Sequence, residues 1–273
     1  MGIIQKAPKS FVNRILVGTP SRGLVRMEWV NARYSQTIPT NWSQVDVQQM
    51  MSPYIPLGYQ VADAENLIAL ECIKGNFEWM IFIEDDNIIP PNAFVKINEY
   101  MLKGDIPIVG GMYFTKSVPP EPLLYRGQGR GHFTDWKLGE KVWVSGLPFG
   151  FTLIHGSIIR ELWKIAPEYQ VNGITTRRVF DTPSNSIFDP DSGGWATNAG
   201  TSDLNFCNYI IENKILEKAG FPEIQAKEFP FLVDTSIFVK HIDQNGQIFP
   251  ISLPQTFVEG KITWREALKQ LTQ

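Results

Sequence analysis

Hydrophobic positions fall in short blocks along this chain, and the period of the blocks alternates. Residues 14–20, Arg-Ile-Leu-Val-Gly-Thr-Pro, are an apolar run closed by a Gly/Pro turn and predict a first strand. Residues 24–34 place Leu24, Val25, Met27 and Val30 near helical spacing and predict a helix. A second short strand is expected around Val45-Asp46-Val47. Over 61–74, Val61, Ala64, Leu67, Ile68 and Cys72 recur at helical spacing and Gly75 stops the pattern, which predicts an amphipathic helix. Residues 79–83 are uninterrupted Trp, Met, Ile, Phe and Ile, the signature of a buried strand. A helix over 91–103 starts at proline and ends at Gly104. The strand expected over 106–114 contains Gly110-Gly111, a sign of a bend or close backbone approach. Strand and helix thus alternate from 14 to 114, the βαβ pattern of a largely parallel sheet.

The second half is patterned differently. Residues 118–141 are rich in Pro, Gly and polar side chains and predict a loop or short hairpin, with Tyr125 and Trp136 available to face a sugar. Buried strands are expected within 142–154, then a helix over 158–165 capped by Ser157. His155 reads as a packed, hydrogen-bonded histidine. The glycine-rich segment 189–200 carries Trp195 and predicts a lid or acceptor loop. Ser202 is a suitable N-cap, and Asp203 in the first turn complements the helix macrodipole. Residues 231–241 predict a strand ending in His241, and Thr263-Trp264-Arg265-Glu266 is a capping box opening a last short helix. The expected organisation is a domain over 1–245, with halves at 11–115 and 116–245, followed by a tail at 246–273.

Composition narrows the function classes. The chain has 273 residues, enough for one large α/β domain, and a net charge of −3 with acids and bases interspersed. The short Gly127-Gln128-Gly129-Arg130-Gly131 stretch is no basic patch, so a nucleic-acid partner is not expected. Cys72 and Cys207 sit in apolar helical patterns and predict packed thiols in a reducing compartment. Residues 1–10 lack the apolar core of a signal peptide. The uncharged span 142–159 holds Gly, Pro, Ser and Thr and reads as strand–turn–strand, not a membrane helix. The expected location is cytoplasmic, compatible with peripheral membrane attachment.

The chemistry concentrates at Glu84-Asp85-Asp86-Asn87, directly after the apolar run. Adjacent carboxylates repel, and a divalent ion with oxygen ligands holds such a group together. The acids fall at the strand's carboxyl end, where open α/β sheets bind ligands. The simpler alternative is an acidic turn and helix cap.

This apolar strand ending in acids, followed by apolar residues and proline, resembles the metal and nucleotide-sugar site of family-2-like glycosyltransferases with the GT-A fold. A second stretch, Gly200-Thr201-Ser202-Asp203-Leu204-Asn205-Phe206-Cys207, resembles their Gly-Glu-Asp-x-x-Phe-Cys signature, with Ser202 in place of Glu and the glycine offset by one. The resemblance covers roughly residues 14–243. It implies a Rossmann-like α/β fold with a mostly parallel central sheet flanked by helices and a small antiparallel acceptor-side portion. It implies Asp86, His241 and Glu84 as ligands of Mn2+ or Mg2+, with Glu84 or Asp85 on the ribose side. Thr19, Pro20, Arg22 and Asp46 become candidates for base and phosphate contacts. Asn66 joins them, although the family's Arg-Asn pair is Glu65-Asn66 here. Asp203 would be the acceptor-side base and Trp195 an acceptor contact. The activity implied is sugar transfer, inverting by default, from a UDP- or GDP-sugar to a hydroxyl of a glycan, lipid or small molecule. Two other readings remain open: a nucleotidyltransferase, which wants a Gly-rich, Lys/Arg-bearing first loop, and a non-catalytic nucleotide- or sugar-binding module.

Overall fold

A computed structural model describes residues 11–127, 131–189 and 194–272, with the backbone alone over 184–189 and 194–199. The order of elements begins β1 (Asn13–Gly18), α1 (Met27–Tyr34), α2 (Gln44–Met51), α3 (Val61–Lys74) and β2 (Phe77–Ile83). A short β3 (Asn87–Ile88) leads to α4 (Ala93–Lys103) and β4 (Ile108–Met112). Next come β5 (Lys141–Val144), β6 (Phe151–His155) and α5 (Gly156–Ile165). Two hairpins follow, β7 (Glu168–Val171) with β8 (Ile174–Arg177), and β9 (Ser184–Asp189) with β10 (Gly194–Ala199). The chain continues through α6 (Ser202–Glu212), α7 (Ile215–Lys218), α8 (Pro222–Gln225) and β11 (Phe231–Phe238). It closes with β12 (Lys240–Ile242), β13 (Ile248–Phe249), α9 (Gln255–Val258) and α10 (Trp264–Leu271).

The fold is mixed α/β. Its central sheet has the order β1-β2-β6-β4-β11-β5. Strands β1, β2, β4 and β11 run one way, and β6 and β5 run against them. The sheet is therefore mostly parallel, and helices cover both faces. Side chains alternate across β2: Trp79, Ile81 and Ile83 join Phe94, Ile97 and Tyr100 of α4 on one face. Met80 and Phe82 join Ile68 and Cys72 of α3 and Ile158 and Leu162 of α5 on the other. Burial on both faces is why the strand reads as one apolar run. Each such side chain contributes roughly 1.5–3 kcal/mol on leaving water. Cys72 and Cys207 are buried free thiols in this core, as their patterns predict.

Several local expectations change. Val45-Asp46-Val47 lies in helix α2, because Ser43 and Asp46 form a reciprocal capping box that opens it. Helix α1 starts at Met27, and Leu24 stands 93% exposed before it. Within the 189–200 segment, residues 194–199 form β10, paired antiparallel to β9 with Trp195 opposite Phe188, and 190–193 lie outside the described residues. Trp136 is buried in the core, its ring tilted against Phe114 and edge-on to Phe257, and does not face a ligand. The C-terminal capping box forms as expected, and Trp264 packs 4.6 Å from the Phe114 ring. Among the described residues, no helix is long and apolar enough to cross a membrane.

Candidate functional site

Strand β2 delivers its acids to a tight turn. The N–H of Glu84 donates to the Gly150 carbonyl at 3.1 Å, and the N–H of Asn87 returns to the Glu84 carbonyl at 3.2 Å. Trp29 Nε1 also donates to the Glu84 carbonyl, at 2.8 Å. Gly150 is needed here: a Cβ at that position would sit 2.6 Å from both Asn87 Nδ2 and the Tyr113 hydroxyl. The side-chain amide of Asn87 donates to Glu84 Oε2 at 3.2 Å and to Asp86 Oδ1 at 3.1 Å, bridging the two carboxylates.

The distant histidine arrives by strand pairing. In the antiparallel β12–β3 ladder, His241 lies opposite Asn87, and the Ile242 N–H donates to the Asp86 carbonyl at 2.8 Å. His241 Nδ1 lies 2.5 Å from the Phe114 carbonyl. A carbonyl only accepts, so Nδ1 carries the proton and Nε2 keeps the lone pair, the arrangement that orients an imidazole for ligation. The ring of Tyr113 packs edge-on against it at 4.8 Å. One ligand atom each from Glu84, Asp86 and His241 lie within 4.8 Å of one another, so this group could hold a metal ion.

The electrostatics match that role. Burial, then the charges of Asp86, Asp203 and Asp85, push the Glu84 carboxyl up to about 8, and Lys116 pulls it back. Burial lowers His241 against the opposing pull of Asp86, so the ring favours the neutral form that binds metals. Asp85 is also raised, chiefly by burial. Its carboxylate accepts from the Ser21 hydroxyl and the Arg22 N–H, and Asp86 adds repulsion.

These acids open onto a cleft of about 770 Å³ that is also lined by Pro20, Ser21, Arg22, Tyr59, Lys116 and Asp243. Pro20 and Arg22 therefore stand where the sequence puts a nucleotide. Thr19 does not: it is fully buried, and its hydroxyl has no hydrogen-bond partner among the described residues. Asp46 is also removed from the cleft, since its carboxylate serves Ser43 in the helix cap and pairs with Arg14 at 3.5 Å. Asn66 is buried and clamps the backbone at Val179 and Phe180, accepting from both N–H groups at 2.8 and 2.9 Å. Its side chain is spent on the fold. Asp203 lies in the first turn of α6, is half-buried, and has its carboxyl raised chiefly by desolvation. It does not line the cleft itself, but its charge reaches Glu84. The side chain of Trp195 lies outside the described residues.

Sequence reasoning missed Lys116, Ser21, Tyr59 and the bridging role of Asn87. Lys116 Nζ contacts Asp86 Oδ2 at 2.5 Å. Its one sequence signal was its place just past the carboxyl end of a predicted parallel strand.

No protein-family model matches the chain, and no curated protein does. Among solved structures, it is similar to A197 from STIV over 87% of its own length and 93% of that chain, with 13% identity and a TM-score of 0.50. It overlaps S. aureus TarS over 57% of its length and 30% of that chain, at 10% identity and a TM-score of 0.36. It overlaps S. aureus TarS 1-349 in complex with UDP over 57% of its length and 50% of that chain, at 9% identity and a TM-score of 0.35. The chain thus spans at most half of either TarS chain, and those loose overlaps bear no weight for its chemistry. The likeness to A197 is one of fold.

Proposed function

We propose that this protein is a metal-dependent glycosyltransferase that moves a sugar from a nucleotide-diphosphate donor to an acceptor hydroxyl. One observation carries the reading: Glu84, Asp86 and His241 meet at the carboxyl end of β2, beside a cleft large enough for a nucleotide. Two carboxylates and a neutral imidazole suit Mn2+ or Mg2+. The buried Asn87 Oδ1, without a partner among the described residues, adds a polar atom beside them. When bound, a divalent ion neutralises charge on the leaving diphosphate as a Lewis acid.

The chain's own residues do the rest. Asp85, held by Ser21 and Arg22, is placed to accept from the donor's ribose, and Arg22 to meet its phosphates. Asp203 takes the proton from the acceptor hydroxyl; a carboxyl raised by burial is a stronger base than a solvated one. A base across from the leaving group gives inversion at the anomeric carbon. No feature of the 19–23 loop favours a nucleotidyltransferase.

The test is thermal stabilisation by UDP-, GDP- and dTDP-sugars with and without Mn2+. The reading expects one donor class to raise the melting temperature, and to do so in the presence of the ion. Indifference to all three under both conditions would oppose it.

A further inference from the structure

The loop that follows β4 carries a cation into the acidic turn. Lys116 Nζ lies 2.5 Å from Asp86 Oδ2, and its side chain remains 36% exposed. The charge of the same ammonium also reaches the Glu84 carboxyl and the His241 ring. The loop presenting it is built. Thr115 N–H donates to the Glu121 carbonyl at 2.9 Å, and Glu121 N–H returns to Thr115 Oγ1 at 3.0 Å. Ser117 Oγ donates to the Pro119 carbonyl at 2.9 Å. Lys116 is left by these bonds to line the cleft that Arg22 also lines.

We propose that Lys116 is an exchangeable cation of this site: its ammonium neutralises Asp86 until a divalent ion takes that carboxylate, and then pairs with the phosphate oxygens of a nucleotide diphosphate in the same cleft. Three considerations support the exchange. A part-exposed ammonium–carboxylate pair is weak, so a divalent ion displaces it readily. The lysine stem is flexible and its ammonium is a compact point charge, so it relocates without disturbing the loop. A diphosphate in the cleft that Lys116 lines would offer the released ammonium an anionic partner. The inference rests on the metal-site reading above, and its test separates the two.

Mn2+ is titrated calorimetrically into the wild type, Lys116→Met and Lys116→Arg without nucleotide. UDP is then titrated into each at saturating Mn2+. Without nucleotide, Lys116→Met should bind Mn2+ about threefold more tightly than wild type, while Lys116→Arg should stay near wild type. UDP should bind the Mn2+-loaded Lys116→Met about tenfold more weakly, the loss of a charge-assisted phosphate contact. If the wild type binds Mn2+ and Lys116→Met binds it equally or more weakly, the exchange is refuted and the metal site stands. Unchanged UDP affinity in Lys116→Met refutes the transfer to phosphate. A wild type that binds no Mn2+ removes both the exchange and the metal site.

Discussion

Ser202 Oγ donates to Glu65 Oε1 at 3.1 Å, tying the start of α6 to the middle of α3. These are two of the positions at which the chain departs from the glycosyltransferase signatures it resembles, Glu65 where Arg is common and Ser202 where Glu is. The departures are contact partners. Glu65 is 1% exposed, and burial holds its carboxyl well above the usual range, beside the Ser202 hydroxyl. The contact anchors the helix that carries Asp203.

A coupled substitution tests this pairing. Glu65→Arg alone buries a guanidinium opposite a hydroxyl and should cost about 3 kcal/mol or more. Glu65→Arg with Ser202→Glu supplies an opposite charge and should recover part of that loss. Chemical denaturation measures both; a double variant no more stable than Glu65→Arg would show that the two positions do not act as a pair.

The acidic turn should make stability depend on pH. Glu84 titrates near 8 when folded, against an ordinary value of 4.5. Between those values the folded state holds a proton that the unfolded state has lost, so stability falls as pH rises through this window. Melting temperatures of the metal-free protein from pH 5 to 8 should show a shallower fall in Glu84→Gln than in the wild type. Parallel curves would mean that Glu84 does not contribute. Saturating Mn2+ should flatten the wild-type curve, because ligation favours the ionised carboxylate.

Gly150 should tolerate no side chain. Alanine there meets Asn87 Nδ2 and the Tyr113 hydroxyl at 2.6 Å, which forces the bridging amide away from Glu84 and Asp86. Gly150→Ala should lose roughly 1–3 kcal/mol of stability and weaken Mn2+ binding. Wild-type affinity in a destabilised Gly150→Ala would separate the turn from the metal site.

Asp203→Asn should retain donor binding and lose transfer by about 10²–10⁴-fold. Product formation assayed with the donor found by thermal shift measures it. Transfer at the wild-type rate would take the base role away from Asp203.

What the sequence made legible follows from physical range. The run 79–83 is apolar because both faces of β2 are buried, and that is a local pattern. The acids come next in the chain, and His241 ends a predicted strand, so the order of motifs carried both. Asp46 was misplaced because an apolar–polar–apolar triplet suggested a strand, while Ser43-x-x-Asp46 was already a capping signal. Asn66 was misassigned because its partners Val179 and Phe180 lie 113 and 114 positions away. Lys116 carries no motif at all; its meaning comes from the 30-residue separation that the sheet closes.

The ion itself gives the most direct test. Crystals grown with Mn2+ and UDP, measured at the manganese absorption edge, locate it by anomalous scattering. The account predicts a peak within about 2.3 Å of a carboxylate oxygen of Asp86 and of His241 Nε2, next to the UDP diphosphate. A bound ion ligated elsewhere, or UDP seated with no peak between Asp86 and His241, would contradict it.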